Sequence, residues 1–278
     1  MLLRFATTLF LAAFTIAAAP VDHAFPAHRV IGNVYYVGST EYASYLITSP
    51  EGHILINSSF EETVPLIRAS VEKLGFKFSD IKILLDSHAH NDHVAGNALV
   101  KEFSGAKAFV MKGDEDIVTS GGIGDFHYNA RWKPSKVDKV LHDGEKVTLG
   151  GNELVAHLTP GHTRGCTTWT MTAKENGKSY NVVIVGSPNV NPGYKLVDNA
   201  KYPEIAEDYA RTFRVLNALK CDVFLGAHGA YYGVAAKYAR MAKEKENPFI
   251  DPAGYKAYIS DREQAYLKNL KEQQAAKK

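Results

Sequence analysis

The sequence predicts an α/β fold, and three observations carry that expectation. Short apolar runs rich in Val, Ile and Leu, bounded by Gly, Pro, Asp or Ser, recur along the chain and read as strands. Stretches with helical spacing stand among them, at residues 63–74, 94–103 and 202–219. No Gly/Ser/Pro-rich linker divides the chain, so residues 20–278 are expected to form a single domain. Its length, roughly 255 residues, is enough to bury a sizeable core.

Residues 1–19 read as a secretory signal. Arg4 supplies a small positive start, residues 5–18 are mostly apolar, and Ala17-Ala18-Ala19 offers small residues for cleavage. A membrane span needs about 20 apolar residues, and this run is shorter. The formal net charge is +2, with acids and bases well mixed and no dense Lys/Arg stripe, which gives no case for a nucleic-acid partner. The Lys-rich end, residues 268–278, has Glu and Gln interleaved and reads as a solvated helix face. The two cysteines, Cys166 and Cys221, are too few for a disulfide framework.

After the leader, residues 34–37, 44–48 and 53–56 read as consecutive strands, the last two joined by the turn Ser49-Pro50-Glu51-Gly52. The helix over 63–74 tolerates Pro65 because it falls in the first turn, and Gly75 is a C-cap candidate. Residues 81–85 form a buried strand, and a helix over 94–103 follows. Residues 106–111 are a strand. Residues 120–132, with Gly121, Gly122 and Gly124 beside Phe126, His127, Tyr128 and Trp132, read as a flap that could cover a ligand. Strands return at 137–141, 146–149, 154–158, 167–172 and 181–185, with turns at Asp143-Gly144 and Gly150-Gly151. A helix over 202–219, a strand over 222–225 and a last helix from about Gly254 complete the order.

Chemistry concentrates where strand 81–85 ends. His88, His90, Asp92 and His93 fall within six consecutive residues of Ser87-His88-Ala89-His90-Asn91-Asp92-His93. On extended backbone His88 and His90 project to one side, whereas Asp92 and His93 come after the chain turns. Neutral imidazole and carboxylate are usual Zn²⁺ ligands, so one loop could supply parts of two metal sites. Two more histidines stand just after strands: His162 in Thr159-Pro160-Gly161-His162 and His228 in Gly226-Ala227-His228-Gly229. A tetrahedral catalytic zinc takes three protein ligands plus water, which makes His162 a candidate third ligand. The other six histidines, His23, His28, His53, His127, His142 and His157, are read as non-ligands, with His127 placed to reach a substrate through its loop.

The His-x-His-x-Asp-His stretch, then Gly161-His162, then Gly226-Ala227-His228 resembles the metallo-β-lactamase superfamily, in order over nearly the whole mature chain. The resemblance implies a four-layer αβ/βα sandwich with metals at the edge between two sheets. One position separates chemistries within that family. Glyoxalase-type thioesterases place a metal-bridging aspartate after the strand corresponding to 181–185, and one lactamase subclass places a cysteine there. This chain has Gly186-Ser187-Pro188. A protonated serine is a poor zinc ligand, so a second metal needs other donors, and Asp92, His93 and His228 could supply them. That set resembles subclass B3, as do Asn191-Pro192-Gly193-Tyr194 and the stretch from Tyr202-Pro203 to Glu207-Asp208-Tyr209.

By that resemblance His88, His90 and His162 bind one zinc and Asp92, His93 and His228 a second, two per chain. The implied reaction is hydrolysis of the β-lactam amide of penicillins, cephalosporins or carbapenems by hydroxide from a water shared by the zincs. Asp92 is the expected catalytic residue, orienting that hydroxide. Ser187, Asn189, Asn191 and Tyr194 lie where the family contacts substrate. A periplasmic monomer with no stable membrane association after leader cleavage is implied. Several family members pair a cysteine at the Cys221 position with one near the last helix. This chain has Asp251-Pro252-Ala253-Gly254 there, so both cysteines are expected to be free. The alternatives are a thioesterase or lactonase of the same superfamily, and a zinc-binding scaffold without activity. A structural zinc is usually closed by four protein ligands, and three per site leaves room for water.

Overall fold

The computed structural model describes residues 25–277. The leader expected over residues 1–19, and His23, lie outside them.

Two sheets face each other. The first has seven strands in chain order: β1 (His28–Ile31), β2 (Val34–Tyr36), β3 (Tyr45–Ile47), β4 (His53–Ile56), β5 (Ile81–Leu85), β6 (Lys107–Met111) and β7 (Lys139–Leu141). Pairing is antiparallel from β1 to β4 and parallel from β4 to β7. The second has five: β8 (Lys146–Leu149), β9 (Asn152–Leu158), β10 (Thr167–Glu175), β11 (Lys178–Val185) and β12 (Val223–Gly226), laid in sequence from one edge to the other. Its pairs are antiparallel except β11–β12.

The parallel pairs follow from connection length. A short turn can only reverse the chain, whereas β4 and β5 are joined through α1 (Val64–Lys73) and β11 and β12 through α5 (Ile205–Ala218). Alternation then builds the layers. On β4, Ile54 and Ile56 face the second sheet while Leu55 faces the helices; on β5, Leu85 and Leu84 divide the same way. The inner core gathers Ile31, Tyr45 and Leu85 with Leu154, Trp169 and Val183. The outer core of the first sheet packs Leu46, Leu55 and Leu84 on Val64, Ile67 and Val71 of α1 and Val100 of α3 (Asn97–Ser104). Across the molecule, Phe213 and Leu216 of α5 and Ile259 and Tyr266 of α7 (Pro252–Ala276) cover the second sheet. The result is the expected four-layer αβ/βα sandwich.

Some local readings differ. The helix predicted over 94–103 is two pieces, α2 (Asn91–Val94) and α3. The break falls at Gly96, whose N–H donates to the Ser59 carbonyl (2.8 Å). A Cβ there would sit 2.5 Å from Val64 Cγ2 and 2.7 Å from Ser58 O, so close approach to another loop, not helix propensity, decides the position. β1, a six-residue helix α4 (Glu115–Ser120) ahead of the flap, and α6 (Val234–Met241) were not anticipated. Both cysteines are free, Cys166 fully buried. Among the described residues no helix is long and apolar enough to cross a membrane.

Candidate metal centre

Strand ends bring the chemistry together. The segment after β5 is tied to the second sheet: Thr167 N–H donates to Ser87 O (2.7 Å) and the Trp169 indole to Asp86 O (3.0 Å). Asn57, in the left-handed region at φ 64°, accepts from Ser87 N–H (2.8 Å) and donates to Ala43 O (3.2 Å). Asn tolerates this conformation better than most residues, and here its amide braces the histidine loop. His90 is still extended (φ −105°, ψ 154°) and stands at the N-cap of α2, so the turn predicted between His90 and Asp92 is present. The Ser58 and Ser59 amides donate to His93 O (3.0 and 3.2 Å) and hold that short helix.

His162 arrives from the loop after β9. Gly161 (φ +119°) precedes it, and a Cβ there would lie 2.7 Å from the Tyr209 ring, so that turn requires glycine. The His162 Nδ1–H donates to Asn189 O (2.8 Å), which leaves Nε2 as a lone-pair donor. His228 follows β12, and Gly229 N–H donates to Glu41 O (3.1 Å), carrying the 39–42 loop to the site.

All six predicted ligands converge. Ligand atoms of His88, His90 and His162 lie within 4.8 Å of one another, and so do those of His88, Asp92 and His93. His228 Nε2 is 3.2 Å from His93 Nε2 and 3.6 Å from Asp92 Oδ2, and the latter is 3.3 Å from His93 Nε2. Asp92, His93 and His228 therefore close a tight triangle beside the three-histidine group. Buried His88 Nε2 has no hydrogen-bond partner. An orphaned buried nitrogen among imidazoles and one carboxylate is a costly arrangement for a bare protein and a normal one for a zinc site. The donor set fits Zn²⁺.

Electrostatics agree. Burial, reinforced by the neighbouring rings, holds His88 well below its ordinary pKa, and burial does the same to His162. Burial lowers His90 to about 4 against the pull of Asp92, and burial followed by His93 lowers His228 to about 3. For Asp92, burial pushes the carboxyl up, but the His93 and His228 rings together bring it well below the ordinary range. Neutral imidazoles and an ionised carboxylate at neutral pH are the forms that bind metal. The stability consequence has a definite sign. The unfolded histidines titrate near 6.5, above the folded His90 and His228. Between those values the unfolded chain binds more protons, so the histidines' contribution to stability is full above about pH 6.5 and is lost as pH drops toward 4. Buried Asp86 and Asp114, which burial raises to about 7 and about 6, oppose it, but the lowered histidines of the cluster outnumber them. Chelator-treated protein should have a clearly lower urea midpoint at pH 5 than at pH 7; equal midpoints would count against the neutral cluster.

The donors open on a cavity of about 480 Å³ lined by His90, Asp92, His162 and His228, by Asn189 and Asn191, and by aromatic residues including Tyr128, Trp132 and Tyr231. No lysine or arginine is among the described residues that line it. Of the four residues expected to touch substrate, Asn189 and Asn191 are at its wall. Ser187 and Tyr194 stand one layer behind. Ser187 is buried with Oγ 3.1 Å from Tyr231 Oη, and the Tyr194 hydroxyl donates to His162 O (2.9 Å). The flap is held by Asn191 Nδ2–H donating to Tyr128 Oη (2.7 Å) and by Asp125, which accepts from the His127 and Tyr128 amides. His127 packs on Tyr128 and Tyr194 rather than on the cavity.

Sequence reading missed Tyr231, Asp125 and Asp114. Tyr231, three residues after His228, receives Asn189 Nδ2–H (2.9 Å), and its proximity to a candidate ligand was the available signal. Asp125, also on the cavity lining, has its Oδ2 3.9 Å from His90 Nε2.

The model of the metallo-β-lactamase superfamily matches residues 38–228. The chain belongs to that superfamily. Within it, the structure is similar to subclass B3 enzymes. The FEZ-1 metallo-β-lactamase from Legionella gormanii is 54% identical with a TM-score of 0.91, covering 92% of this chain and 99% of that one. BJP-1, a subclass B3 metallo-β-lactamase of Bradyrhizobium japonicum, is 36% identical with a TM-score of 0.86, covering 92% and 98%. Among curated proteins, a hydroxyacylglutathione hydrolase from Rhodopseudomonas palustris is 29% identical over 124 residues. That match takes in 45% of this chain and only 41% of the relative's length.

Proposed function

We propose that this protein hydrolyses the amide bond of β-lactam antibiotics, penicillins, cephalosporins or carbapenems, with two zinc ions per chain. The observation that carries the reading is the pair of adjacent three-donor groups at the cavity floor. His88, His90 and His162 hold one ion; Asp92, His93 and His228 hold the other. Zinc supplies Lewis-acid polarisation of a carbonyl and a water acidic enough to ionise near neutral pH. The chain's own residues do the rest. Asp92, ionised and facing the cavity, orients the attacking water through its carboxylate oxygens. Asn189 and Asn191 hydrogen-bond the substrate, while Ser187 and Tyr194 act on it through Tyr231 and His162. The aromatic wall excludes bulk water from the bond being cut. The leader over residues 1–19 delivers a single domain, residues 20–278, to the periplasm as a monomer.

Gly186-Ser187-Pro188 at the end of β11 offers no carboxylate, which separates this site from a thioesterase built on a bridging aspartate. A panel of penicillins, cephalosporins, carbapenems and a hydroxyacylglutathione thioester, run on zinc-loaded protein, tests the reading. At least one β-lactam should exceed the thioester by about 100-fold or more in kcat/KM, as expected of a site shaped for one transition state. A preference for the thioester would replace this reading with the glyoxalase-type one, and no hydrolysis of any member would leave a zinc-binding scaffold.

A further inference from the structure

Asp114 sits at the N-cap of α4 yet does not cap it: its side chain makes no hydrogen bond to that helix. An N-cap aspartate ordinarily accepts from its own first turn. This one is 2% exposed and turned onto two other loops. Its Oδ2 accepts from Ala89 N–H (2.8 Å) and from the Thr163 hydroxyl (2.7 Å), and its Oδ1 accepts from Gly165 N–H (2.8 Å). Ala89 lies between His88 and His90, and Thr163 follows His162. Every group it meets in these bonds is a donor, which suits an ionised carboxylate and no other side chain of that length. Glycines allow the approach. A Cβ on Gly165 would fall 2.7 Å from Asp114 Cβ, and one on Gly113 3.0 Å from the Arg164 carbonyl carbon.

We infer that Asp114 is a positioning residue for the three-histidine group, a buried carboxylate that sets the His88–His90 segment and the His162 loop at one fixed separation. The inference rests on the metal-site reading above. Each loop also has anchors of its own: Thr167 N–H holds Ser87 O, and Thr159 N–H holds Cys166 O (2.8 Å). Loss of Asp114 therefore leaves the sandwich standing and loosens how the two loops sit relative to each other. The second group does not use it. Its α2 is held by the Ser58 and Ser59 amides and its His228 by the 39–42 loop. The effect is selective for one of two adjacent sites, which a general loss of stability would not produce.

Asp114→Asn keeps the shape but replaces one acceptor oxygen with an NH₂ that must face a donor. The test is cobalt(II) titration followed by visible absorption and chelator competition. His228→Ala isolates the three-histidine group and His162→Ala isolates the other. In the first background Asp114→Asn should weaken cobalt binding by about 10–100-fold, the usual cost of losing a partner behind a metal ligand. In the second background the change should stay under about 3-fold. Thr163→Val should give a smaller loss at the first group only, and Thr163→Ser should restore it. If Asp114→Asn fails to fold, the Thr163 pair decides. Equal weakening of both groups, or of neither, overturns the inference while leaving the metal sites intact. Failure of the parent protein to bind cobalt at all would overturn the metal reading and this inference with it.

Discussion

Replacing Asp92 by alanine should lower kcat/KM for every β-lactam the parent hydrolyses by about 100-fold or more, the range for losing a group that positions or moves a proton in the transition state. Asp92 is the sole carboxylate in the two donor groups, and its Oδ2 lies 3.3 and 3.6 Å from the Nε2 atoms of His93 and His228. Alanine removes one of three donors from that group and, on the function proposed above, the oxygen that orients the attacking water. Added zinc should recover only part of the loss, because mass action restores occupancy and cannot restore the carboxylate. Asp92→Asn keeps an oxygen without the charge and should fall between the two. His88→Gln offers the contrast: an amide oxygen is a weaker donor than imidazole, and the second group remains complete. Steady-state kinetics with metal analysis on the three variants checks the order. Wild-type turnover by Asp92→Ala would sink the assignment.

Metal removal should have the other large effect. Chelation should abolish hydrolysis and lower the melting temperature, with both restored by zinc. Ions that bind only the folded chain stabilise it by about 4 kcal/mol at a thousandfold excess over Kd. For a domain of this size, about 2–4 °C per kcal/mol puts the loss near 10 °C. The physical source is in the structure: four buried imidazoles, those of His88, His90, His93 and His162, crowd together with Asp92, and His88 Nε2 has no hydrogen-bond partner. Calorimetry with and without chelator reads the shift. An unchanged melting temperature together with unchanged activity would remove zinc from both the fold and the chemistry.

Some of this molecule is local, and local information is legible in one chain. Four candidate ligands within six residues after an apolar run declare themselves, because one loop leaving one strand carries them all. The short continuous apolar run of β5 likewise declares a buried strand, and Pro65 and Gly161 mark a helix start and a tight turn. His162 and His228 were legible only beside that cluster, as histidines that follow strands.

What escaped is what depends on contacts between distant segments. Gly96 reads as a residue inside a helix until the Ser58–Ser59 loop presses against it. Asp114 is one acid among 30 Asp and Glu, and its three bonds reach 25, 49 and 51 residues along the chain. Ser187 and Tyr194 look like their neighbours Asn189 and Asn191 in sequence, yet packing sets the first two behind the cavity wall and the second two on it. The sequence by itself determined the donor types, the strand ends that carry them and the layered α/β order, since these follow from residue chemistry and period. Only the tertiary structure decided which donors share a space, which polar groups brace them and which face the cavity. Those are distances between segments, and they are set by the packing of two sheets that meet across more than a hundred residues of chain, as Asn33 in the β1–β2 turn meets Asn152 at the start of β9.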